Sequence, residues 1–85
     1  MLKIYGSMLC KDCEAFVKGL EEAKTEYRFC DFADDLEYLK EFLRLRDSIP
    51  MFDPVKAGGS IGIPCVQKED GSYTLDWESC LTEKS

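Results

Sequence analysis

Two thiols three residues apart, in Cys10-Lys11-Asp12-Cys13, are the residues of this 85-residue chain best suited to do chemistry. They follow a short apolar run, Leu2-Lys3-Ile4-Tyr5-Gly6, and open an amphipathic pattern, so they are expected where a strand hands over to a helix. A helix N-terminus presents unpaired backbone N–H groups and a partial positive charge, which favour a thiolate over a thiol at the first cysteine. Cys13, one turn further in, is close enough to form a disulfide with Cys10. Lys11 can add positive charge beside Cys10; Asp12 acts in the opposite sense on the sulfur while favouring the helix.

A C-x-x-C pair can also be half of a zinc site. Four ligands would then need two more Cys or His, yet the chain has no His, and Cys30, Cys65 and Cys80 stand singly. The redox reading is therefore preferred and no metal is assigned. A third reading is that the thiols are inert.

The elements that must hold the pair follow from periodicity. Leu2 to Tyr5 reads as a first strand. Cys13, Phe16, Val17 and Leu20 form one stripe, which predicts a helix over about Asp12 to Lys24. Tyr27 to Asp31 alternates as a second strand, parallel to the first through a right-handed crossover, with Cys30 in the core. Asp34 is the expected cap of a second helix reaching about Arg46, packed through Leu36, Leu39 and Leu43. Asp47 to Gly62 reads as a long connection with a short helical turn near Pro54 to Ala57. Ile63 to Gln67 and Ser72 to Leu75 then flank an Asp70-Gly71 hairpin turn, and Trp77 to about Thr82 forms a last helix.

Composition narrows the function. One domain of this size lacks room for a deep cofactor cavity, so chemistry is expected at its surface. The balance of 11 basic against 17 acidic residues, net −6, argues against nucleic acid or an anionic membrane as partner. The first residues lack the apolar core of a signal peptide and no window approaches a membrane span, so a cytoplasmic location with mostly reduced thiols is expected.

The order β-α-β-α-β-β-α, with C-x-x-C opening the first helix and Ile63-Pro64 opening the third strand, resembles glutaredoxins and related redoxins of the thioredoxin superfamily. The resemblance covers nearly the whole chain. It implies an α/β fold with a four-stranded mixed sheet flanked by helices, in which Pro64 is cis beside the Cys10-Cys13 pair and the backbone of Ile63 pairs with a bound peptide or glutathione. It further implies a monomeric dithiol oxidoreductase with no bound cofactor, catalytic Cys10 and Cys13, and Lys11, Ile63 and Pro64 at the substrate. The substrate would be a disulfide-bearing protein or a low-molecular-weight mixed disulfide, and the electron donor glutathione or a thioredoxin-reductase-like enzyme. Glutathione-using members carry a basic residue three before the first cysteine and a Gly-Gly-x-Asp-Asp-like turn after the fourth strand. This chain has Ser7 and Asp76-Trp77-Glu78-Ser79 in those places, so weak glutathione use is expected. A rival expectation, also drawn from the resemblance, is an iron–sulfur cluster or metal carrier that uses Cys10 with an external thiol. A visible absorption band and labile sulfide after anaerobic purification would mark it.

Overall fold

The computed structural model describes residues 1–82. Its elements run β1 (Leu2–Gly6), α1 (Lys11–Glu22), β2 (Tyr27–Asp31), α2 (Leu36–Ser48), a 3-10 turn (Pro50–Phe52), α3 (Asp53–Ala57), β3 (Cys65–Gln67), β4 (Tyr73–Thr74) and α4 (Trp77–Thr82). The sheet is mixed and open, in the order β2-β1-β3-β4. β1 runs parallel to β2 from Leu2↔Tyr27 to Gly6↔Asp31 and antiparallel to β3 from Lys3↔Gln67 to Tyr5↔Cys65. Because β1 ends where β3 begins, the loops carrying Cys10 and Pro64 leave neighbouring strands at the same end of the sheet.

Strand alternation divides the apolar side chains between two faces. Ile4 and Val66 meet Phe16 and Leu20 of α1 and Cys80 of α4, with Trp77 packed beside them. The rings of Phe16 and Trp77 lie 5.6 Å apart and lock the two helices onto this face. Tyr5, Cys30 and Cys65 point the other way, onto Phe42 of α2 and Phe52 of the 3-10 turn.

Several expectations are corrected. The α2 cap is Asp35, whose carboxylate accepts the Glu37 N–H at 2.9 Å, rather than Asp34. Both Asp34 and Asp35 N–H groups donate to the Asp31 carbonyl, so the chain turns one residue later than expected. Leu36 and Leu43 are exposed instead of packed, and Phe42 is the residue of α2 that is fully buried. The loop after α2 holds more structure than one turn, because Pro50 and Pro54 sit in the first turns of the 3-10 turn and α3, where a missing N–H does no harm. Among the described residues no helix is long and apolar enough to cross a membrane.

Candidate active site

Cys10 is the N-cap residue of α1, with extended backbone (φ −89°, ψ 125°) and no side-chain hydrogen bond to the first turn. Its N–H donates to the Ser7 carbonyl at 3.0 Å, and Ser7 Oγ accepts the Leu9 N–H at 3.1 Å. This tight turn sets the Cys10 sulfur at the helix entrance, half-exposed, while Cys13 is fully buried one turn below. The Cys10 sulfur is a neighbour that raises the Cys13 thiol.

Gly6 makes that burial possible. A Cβ built on Gly6 would lie 2.6 Å from Cys13 Sγ and 3.6 Å from the Phe29 ring, so the sulfur occupies space that only glycine leaves free. Continuing the β1–β3 register by one residue sets Pro64 across from Gly6. Alternation puts both on the face of Ile4 and Val66, which is the α1 face. Pro64 is buried there, and the Ile63–Pro64 peptide is cis. Cys10, Cys13 and Pro64 are thus brought to one end of the sheet around Gly6.

Ile63 and Lys11 are placed differently. The Ile63 side chain turns to the opposite face, against the Tyr5, Cys30 and Cys65 group, and offers only its backbone to this end of the sheet. Among the described residues, neither its N–H nor its carbonyl takes part in a loop or turn backbone hydrogen bond. Lys11 is exposed in the first turn and belongs to none of the ion pairs among the described residues.

An uncharacterized protein of Haemophilus influenzae is 39% identical over 67 residues, spanning 79% of this chain and 78% of that protein. The chain belongs to the family of that protein. No protein-family model matches the chain, and no solved structure matches it.

Burial pushes the Cys13 thiol up to about 12 from an ordinary 9.0; the Ser7 backbone N–H, aimed at the sulfur, opposes this, and the Cys10 sulfur and Asp12 carboxylate reinforce it. Burial alone pushes Cys65 equally high, to about 12. The native fold therefore keeps both thiols protonated over a range in which the unfolded chain ionises them. Between about pH 9 and pH 12 the native state binds more protons than the unfolded one, so stability of the reduced chain must fall as pH rises. Each thiol removes ~1 kcal/mol by about pH 10. Urea midpoints of the reduced protein at about pH 8 and pH 10 should show this loss, and Cys65→Ala, which leaves the Cys10-Cys13 pair intact, should lose less over the same interval. An equal loss in both proteins would contradict the assignment.

Gly6 and the Ser7 N–H escaped sequence reasoning. Gly6 had a visible signal, since glycine ending an apolar run directly before a C-x-x-C marks close approach by another group. The Ser7 N–H had none, because any non-proline residue supplies one.

Proposed function

We propose that the chain is a glutaredoxin-like dithiol oxidoreductase of the thioredoxin superfamily, acting on disulfides of proteins through Cys10 and Cys13. The observation that carries this reading is the placement of an accessible sulfur at a helix entrance with a shielded one in the first turn below it. The position of Pro64 across from Gly6 and the open backbone of Ile63 support it, because an extended substrate segment can pair there beside the reacting sulfur.

The chemistry proceeds in two exchanges. Cys10 thiolate attacks one sulfur of a substrate disulfide, forming a Cys10–substrate bond and releasing the other substrate sulfur as a thiolate, which takes up a proton. Cys13 then loses its proton and attacks Cys10 Sγ. The second substrate thiol departs and a Cys10–Cys13 disulfide remains; two electrons have passed from the pair to the substrate. Once Cys10 is bound in the mixed disulfide it carries no charge, so its upward push on Cys13 is gone while the Ser7 N–H still favours the Cys13 thiolate. The resolving sulfur is held protonated until it is needed. An external dithiol or a reductase enzyme restores the pair.

The donor is expected to be a reductase of the thioredoxin-reductase type, because the surroundings are poor for an anionic tripeptide. Ser7 offers no positive charge, Asp76 and Glu78 are exposed carboxylates, Lys56 pairs with Asp53 at 3.7 Å, and Arg46 is engaged by two backbone carbonyls, which leaves exposed Lys11 to offer positive charge beside the pair. Each missing charge-assisted hydrogen bond forfeits ~1.5–3 kcal/mol, roughly one to two powers of ten in affinity. Turnover on a protein disulfide should be at least ~tenfold faster with such a reductase than with millimolar glutathione and its own reductase. Efficient glutathione-driven turnover would overturn the donor assignment. No turnover with either system would overturn the oxidoreductase reading.

A further inference from the structure

We infer that Arg46 is a positioning residue, holding the loop ahead of Ile63-Pro64 so that the Ile63 backbone stays in place for a substrate segment; this rests on the oxidoreductase reading above. Arg46 lies in the last turn of α2, where the carbonyl end of the helix favours a cation. Its Nε donates to the Ile61 carbonyl at 2.9 Å and a terminal guanidinium nitrogen donates to the Ser60 carbonyl at 2.7 Å. One planar fork thus binds two successive carbonyls, two residues ahead of Ile63. Lysine, with a point charge on a flexible stem, cannot reproduce that geometry.

The rest of the segment is held from other sides. The Ser60 N–H donates to the Val55 carbonyl of α3 at 3.0 Å. Gly62 has φ +96°, and a Cβ there would stand 3.0 Å from the Phe52 ring and 3.2 Å from the Val55 side chain, so the chain passes pressed against both. Beyond Gly62 the Ile63 backbone makes no loop or turn hydrogen bond among the described residues. Its position is set by its side chain packed on the Tyr5, Cys30 and Cys65 group, by the residues before it and by buried Pro64 after it. Among the described residues Arg46 is the one charged side chain in this anchor, and its bonds lie at the surface, where losing them loosens the loop without opening the core.

The test compares two substrates in Arg46→Ala, Arg46→Lys and the unaltered chain: a peptide disulfide with extended backbone on either side of its cysteine, and a small aromatic disulfide with no peptide backbone. In Arg46→Ala the KM for the peptide should rise about tenfold, equivalent to ~1.4 kcal/mol of binding, with kcat little changed. Turnover of the small disulfide should stay within about twofold. Arg46→Lys should fall between, and it decides the matter should Arg46→Ala prove poorly folded. Equal losses on the two substrates, or none on either, would overturn the assignment of Arg46. An unaltered chain inactive even on the small disulfide would instead overturn the oxidoreductase reading on which the assignment rests.

Discussion

Brief alkylation of the reduced chain near neutral pH is expected to modify Cys10 at least ~100-fold faster than any other cysteine. Cys10 is half-exposed, whereas Cys13, Cys30 and Cys65 have no exposed surface and Cys80 is 7% exposed. A buried thiol reacts only through local opening, and an opening of ~3 kcal/mol already slows it about a hundredfold. Ionisation widens the gap for two of them. With burial holding Cys13 and Cys65 up at about 12, only about one in 10⁵ of either is thiolate at pH 7. Peptide mapping over a time course measures the order of modification. Earlier labelling of any cysteine other than Cys10 would show that the accessible nucleophile lies elsewhere.

Gly6→Ala is expected to cost ~1–3 kcal/mol in the reduced chain, the usual range for forcing extra volume into a packed interior. The added methyl would lie 2.6 Å from Cys13 Sγ, a separation real Cβ atoms essentially never show. β1 is paired on both sides, to β2 and β3, so its backbone resists moving and the sulfur must be displaced. For a domain of this size the melting temperature should fall by several degrees, about 4–8 °C per kcal/mol. The displaced Cys13 should also resolve mixed disulfides on Cys10 more slowly. A double-mutant cycle isolates the cause: in a Cys13→Ala background the same Gly6→Ala change should cost ~1 kcal/mol less, because the colliding atom is gone. A cost independent of residue 13 would locate the strain elsewhere.

The parts of this structure legible in the sequence are those where one pattern had no competitor. Cys13, Phe16, Val17 and Leu20 form the only apolar stripe between Lys11 and Glu22, and all four are buried. Tyr27 to Asp31 is β2 with the expected bounds, with Phe29 on one face of the sheet and Cys30 on the other. The second helix offered two stripes. Leu36 and Leu43 lie on one side; Tyr38, Phe42, Leu45 and Ile49 lie on another, and the aromatic set prevails because Phe42 packs between Phe32 and Phe52 at 5.3 and 5.7 Å. That choice depends on Phe52, which reaches the core only through the 3-10 turn, and no local periodicity reports it. The adjacent aspartates were likewise ambiguous, since the turn at Asp31 decides which of them caps α2. At the site, the thiols and Pro64 could be named from spacing and resemblance. The contact between Gly6 and Cys13 and the Arg46 bonds to Ser60 and Ile61 arise from packing between distant segments.

In the proposed mechanism Cys10 exchanges with a substrate disulfide and Cys13 resolves the product. Its most direct test is to mix reduced Cys13→Ser with a disulfide-bonded protein, quench with acid, and read intact mass followed by peptide mapping. A stable one-to-one mixed disulfide on Cys10 is expected, accumulating in Cys13→Ser and only transient in the unaltered chain. An adduct on Cys30, Cys65 or Cys80, or no adduct when the unaltered chain also leaves the substrate oxidised, would contradict it.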